Sequence, residues 1–127
     1  MGTVAVQGGF GRAFWKRLAA LVRTTTIEID RPRGTHHPRY PTAIYPLDYG
    51  YLFGTAGGDG AAVDVWIGSN PSRGITGIVC TIDSDLRDAE IKVLLGCTPD
   101  EMRTVLDFHN QGSQSALLLR PEDEEGS

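Results

Sequence analysis

Two short acidic stretches carry most of what this chain offers to chemistry. Asp59 and Asp64 bracket Asp59-Gly60-Ala61-Ala62-Val63-Asp64, while Asp83, Asp85, Asp88 and Glu90 lie between Ile82 and Ile91. Crowded carboxylates repel, and each is driven toward protonation unless a cation compensates. Hard oxygen ligands favour magnesium, manganese or calcium over zinc, and magnesium commonly shares its shell with waters and substrate phosphates. Asp64 is the sharper signal, because alternation in Val63-Asp64-Val65-Trp66-Ile67 turns it away from Val63 and Val65. In so apolar a run an aspartate must be exposed, paired or metal-bound. The ordinary alternative is a pair of surface turns with solvated aspartates. A third feature is Tyr45-Pro46-Leu47-Asp48-Tyr49-Gly50-Tyr51. Its phenols could donate to phosphate oxygens, or could simply pack their rings and leave the hydroxyls at the surface.

Strands and turns must position these residues. Thr24 to Ile29 is rich in β-branched side chains, and the runs Val63–Ile67, Ile75–Ile82, Ile91–Leu95 and Ala116–Leu119 are short and bounded by Gly, Asp, Asn or Pro. They read as strands of a small curved sheet. Phe10, Phe14, Leu18, Leu21 and Val22 recur at helical spacing, predicting an amphipathic helix over 10–23 after a flexible start at 1–9. Thr98-Pro99-Asp100-Glu101 has a capping-box pattern with proline at the first helical position, predicting a second helix from Pro99 to His109. The core should span 24–120, and the acidic segment 121–127 reads as a disordered tail with nothing to bury.

At 127 residues, 40% hydrophobic and 22% charged, the chain suits one globular domain. A net charge of -4 argues against general nucleic-acid binding, which needs an excess of basic side chains at the contact. Ten of the twelve basic residues are arginine, which grips carboxylate and phosphate oxygens in a bidentate way. Two cysteines without metal-like spacing suggest a reduced, cytoplasmic setting. No apolar stretch is long enough to cross a bilayer, so neither a membrane nor a nucleic acid is expected as partner.

Taken together, these stretches resemble the soluble, magnesium-dependent inorganic pyrophosphatases. In that family a strand with Ile-Glu-Ile is followed by Tyr-Pro-x-x-Tyr-Gly-Tyr, and here stand Ile27-Glu28-Ile29 and the Tyr45–Tyr51 segment. The family signature Asp-x-Asp-Pro-x-Asp begins ten residues after the second tyrosine, where this chain has Asp59, and Asp64 matches its last aspartate. A later aspartate pair five residues apart is mirrored by Asp83 and Asp88. The match runs from Ile27 to Asn110.

The resemblance implies an α+β fold, mainly β with flanking helices, built on a small OB-like antiparallel barrel that is open or closed. It implies magnesium, or manganese in its place, on Asp59, Asp64, Asp83 and Asp88, and hydrolysis of pyrophosphate or a related phosphoanhydride. It also implies a homo-oligomer. Glu28, Arg33, Arg39, Tyr49 and His109 are the candidates for holding the substrate, and Asp59, Asp64, Tyr49 and Asp48 for the catalytic work. The departures shape the expectation. Ala61 replaces the middle aspartate, which the family places beside the nucleophilic water, so Asp48, Asp85 or a metal-bound hydroxide would have to serve. Glu90 stands where the family has lysine, and His109-Asn110 where it has a Tyr-Lys pair. The hairpin before Tyr45 is short, leaving Arg39, and more weakly Arg33, to stand in for its phosphate-binding cations. Two other readings fit: a catalytically silent module that binds metal and a phosphorylated ligand or a protein partner, and an enzyme for a larger substrate such as a nucleotide.

Overall fold

The computed structural model describes residues 10–58 and 60–122. The expected flexible start at 1–9, Asp59, and residues 123–127 of the expected tail lie outside these residues.

Among the described residues eight helices and strands follow in order, besides a 3-10 turn at Pro71–Arg73: α1 (Phe10–Arg23), β1 (Thr26–Arg31), β2 (Asp48–Phe53), β3 (Asp64–Ile67), β4 (Ile75–Asp83), β5 (Asp88–Leu95), α2 (Pro99–Phe108) and β6 (Gln114–Leu119). The six strands form one sheet in the order β1-β2-β3-β5-β4-β6. The sheet stays open, with β1 and β6 as its edges. All pairs are antiparallel except β3 with β5, whose partners Asp64↔Lys92 and Trp66↔Leu94 run parallel. The α+β, mainly β expectation therefore stands, whereas a closed, wholly antiparallel barrel does not describe these strands. The parallel pair arises because β4 returns to the far side of β5 instead of to β3.

The two helices cover opposite faces. Beneath α1 lie Leu52, Val65, Val93 and Leu95, packed by Leu18 and Val22. The helix buries Trp15 and leaves Phe10 and Phe14 exposed. Of the expected stripe Phe10, Phe14, Leu18, Leu21 and Val22, Leu18 and Val22 turn inward beside Trp15, whereas Phe10, Phe14 and Leu21 stay exposed. On the other face Met102 and Val105 of α2 close over Trp66, Val79 and Leu94. The α2 capping box forms as read: Thr98 accepts from Glu101 N and the Glu101 side chain accepts from Thr98 N.

Gly50 holds β1 and β2 together, since a Cβ there would overlap the Glu28 carbonyl. No described helix is long and apolar enough to cross a membrane.

Candidate functional site

Strand register gathers the candidate residues on the face that α2 partly covers. Glu28 pairs with Tyr51, Tyr51 with Asp64, and Asp64 with Lys92, so side chains at these positions project the same way. Tyr49 lies on this face beside Trp66, and Glu90 and Asp88 follow Lys92 at steps of two along β5. Val63, Val65 and Val93 point to the α1 side, which leaves the polar residues of these strands to line the other.

At the centre is Lys92. Its Nζ donates to Asp64 Oδ2 at 2.9 Å, to Glu90 Oε1 at 2.8 Å and to Tyr49 Oη at 2.9 Å. An ammonium has three donors, and three oxygens take them. Burial opposes the charge on Lys92, but the oxygens of Tyr49, Asp64 and Glu90 outweigh it and hold its pKa above the ordinary lysine value. Burial, joined by the Asp64 charge, raises the Tyr49 phenol against the pull of Lys92. Tyr49 is therefore neutral at physiological pH, and the two carboxylates are what keep Lys92 charged there. The aspartate in an apolar strand is resolved as a paired one.

His109 sits deeper. Its Nε2 accepts from Trp66 Nε1 at 3.0 Å and its Nδ1 lies 2.8 Å from Gln114 Oε1, an arrangement that puts the proton on Nδ1. Burial is the main reason its pKa falls to about 4. The ring is neutral, buried and fully engaged, so it offers no positive charge to a phosphate.

Asp83 performs a local task. Its Oδ1 accepts from the backbone N of Asp85 and of Leu86, each at 3.0 Å, and from Ser113 Oγ at 2.8 Å. The Leu86 amide and the Ser113 hydroxyl are the leading causes that hold its carboxyl below the ordinary aspartate value. Asp83 and Asp88 are the closing pair of the β4–β5 hairpin, which accounts for their spacing. Asp88 lies four residues before Lys92 on β5, roughly 13 Å away at ~3.3 Å per residue. Asp85 is exposed in the turn between them.

The remaining candidates divide. Arg39, carried by the loop between β1 and β2, is near enough for its charge to lower the Asp83 pKa. His37 in the same loop stacks on Tyr45 at 5.8 Å, and Tyr45 contacts Tyr49 and Trp66. Arg33 is exposed, and its backbone N donates to Asp48 Oδ1 at 2.8 Å. Asp48 pairs with Ile67 on the side of β2 opposite Tyr49, so it stands apart from the cluster. Glu28 shares the face but is exposed near the β1 edge.

The structure thus joins Tyr49 and Asp64, sets Asp83, Asp88 and Arg39 at the far end of the same face, and separates Asp48 and Arg33 from both, while His109 lies within reach of the Lys92 and Asp64 charges but is buried and already engaged. Sequence reasoning missed Lys92. The available signal was a lysine inside Ile91-Lys92-Val93-Leu94-Leu95, in the same alternation phase as Glu90.

Among the described residues no group of three or more His, Cys, Asp or Glu side chains is arranged to hold a metal ion. Asp64 Oδ2 faces an ammonium and Asp83 Oδ1 already accepts three hydrogen bonds. A preformed four-aspartate magnesium centre does not fit the three of those residues that are described. Neither a protein-family model nor a curated protein matches this chain.

Proposed function

We propose that this chain is a pyrophosphatase-like module that binds pyrophosphate, or another small molecule bearing a phosphoanhydride, as its magnesium complex. The observation that carries this reading is the run of Tyr49, Asp64, Glu90 and Asp88 along one sheet face with a single ammonium, Lys92, among them. Two carboxylates against one ammonium leave the Lys92 cluster with a net negative charge, which repels a bare polyanion. A ligand that brings its own divalent ion reverses that sign. Magnesium bound with phosphates needs only one or two protein carboxylates, and manganese can replace it. Arg39 supplies positive charge at the far end of the face, close to Asp83. The order and spacing of the aspartates, which resemble those of the pyrophosphatases, favour this ligand class over others.

Calorimetric titration with pyrophosphate, with and without magnesium, tests the reading. Binding should require magnesium and weaken at least tenfold in Asp64→Asn, whose fold is checked by its melting curve. Equal affinity of the wild type and Asp64→Asn would remove Asp64 from the site, and absence of binding across a panel of pyrophosphate and nucleotides would reject the function.

Slow hydrolysis is a second reading, favoured by the Tyr49–Asp64 juxtaposition. General-base help contributes typically 100- to 10,000-fold, and the methyl of Ala61 supplies none. Phosphate release by Ala61→Asp above the wild-type level would support hydrolysis. Release unchanged by that substitution would leave the module as a binder.

A further inference from the structure

The face of the sheet beneath α1 is only half covered. The helix packs over Leu52, Val65, Val93 and Leu95, and among the described residues no element lies over the rows farther along β5, β4 and β6. Register sets Ile91 beside Cys80 and Cys80 beside Leu117 in one row, and Ala89, Ile82 and Ser115 in the next. These rows contain no charged side chain. Leu117 is 73%, Ile82 60% and Ile91 44% exposed. An isolated exposed leucine needs no explanation, but a contiguous apolar field does.

The helix adds relief to the field. Phe10, Phe14 and Leu21 stand exposed on α1. Between the helix and the bare rows runs a hollow of about 510 Å³, lined mainly by apolar groups such as Phe14, Leu18, Cys80 and Ile91, with Asp64 and Glu90 also reaching it. A ridge of aromatic side chains therefore lies directly beside a hollow of matching character. Under a two-fold axis the same patch meets itself, so each ridge can enter the hollow of the other molecule.

We infer that a second copy of this chain docks on this half-face, forming a two-fold dimer through Phe14, Ile82, Ile91, Leu117 and Leu119. The apolar side chains of the patch, together with Phe10 and Leu21 of the ridge, expose on the order of 700 Å² per chain, close to the ~800 Å² per partner of a standard stable interface. The first nine residues are the competing cover from within the chain, but Met1, Val4, Ala5 and Val6 are their only sizeable apolar groups. Those four cannot fill a field of that area. The hollow reaches Asp64 and Glu90 of the carboxylate cluster, so the dimer is tested by association and the ligand by calorimetry, each without the other.

Sedimentation equilibrium of the full chain between 1 and 100 µM, a range chosen to bracket ordinary dimer affinities, should report twice the 13.7 kDa chain mass. Leu117→Glu should weaken association at least 100-fold, and circular dichroism checks that it keeps its fold. Should that variant fail to fold, Phe14→Glu on the helix surface provides the same measurement. A chain lacking residues 1–9 should still dimerise. A monomeric wild type at 100 µM, a folded Leu117→Glu or Phe14→Glu that associates as the wild type does, or loss of the dimer only on removing 1–9 would each overturn the inference.

Discussion

At the scale of single residues, the decisive one is Lys92. Its side chain is 7% exposed, while those of Asp64 and Glu90 are 29% and 22% exposed. Replacing it with methionine keeps most of the volume but takes the shared ammonium away from two carboxylates. A fully buried pair broken in this way costs ~3–5 kcal/mol, and the partial exposure of the acids reduces the expectation to about 1–3 kcal/mol. Urea unfolding of Lys92→Met checks the magnitude. The same variant should gain stability from millimolar manganese where the wild type gains little, because the ammonium that both carboxylates share is gone; an equal manganese response in both would show that the ammonium does not occupy that role.

His109 yields a second residue-level expectation, and its sign follows from linkage. Its folded pKa of about 4 lies below the ordinary histidine value of about 6.5, so between those values the unfolded chain binds the extra proton. Stability must then fall as pH drops from 6.5 toward 4, by about 3 kcal/mol across that window. His109→Gln should flatten this slope while lowering stability at neutral pH. A slope identical in both proteins would assign the acid sensitivity elsewhere. Lys92 contributes in the opposite direction, its stabilisation being present below the ordinary lysine pKa and lost only at strongly alkaline pH.

At the scale of elements, the parts legible in the sequence are those set by local rules. Pro99 and the Thr98–Glu101 box fix the start of α2, and the β-branched and apolar runs locate β1, β3, β4, β5 and β6. Thr98→Ala should cost about 1 kcal/mol in a thermal or urea melt, the usual worth of an N-cap. What stayed illegible depends on distant partners. That Asp64 meets Lys92 follows from the parallel pairing of β3 with β5, and no periodicity within either strand encodes that pairing. The Asp83–Asp88 spacing was visible, but it reads equally as a metal pair or a hairpin closure, and the strand pairing of the two with the Asp85, Leu86 and Ser113 hydrogen bonds to Asp83 tells them apart. The inward turn of Trp15 on α1 was hidden for the same reason, since the shape of the sheet beneath decides which stripe turns inward.

At the scale of the whole molecule, an open sheet with unequal cover on its two faces links architecture to association. A closed barrel would have removed both edges. Here, among the described strands, β6 is left with one unpaired side and an apolar face, the combination through which β proteins associate unless something covers it. If the cover is a second copy, unfolding is coupled to dissociation, and the melting temperature must rise with protein concentration. A tenfold increase contributes about 1.4 kcal/mol per dimer. Spread over the unfolding entropy of two chains of this length, that amounts to a shift of about 3 °C. Leu117→Glu should melt at a temperature independent of concentration, near that of the wild type at its most dilute, because Leu117 is largely exposed in the single chain and its loss opens no cavity. Scanning calorimetry over a hundredfold concentration range measures both proteins. A wild-type midpoint that does not move would mean that the half-covered sheet is stable as it stands.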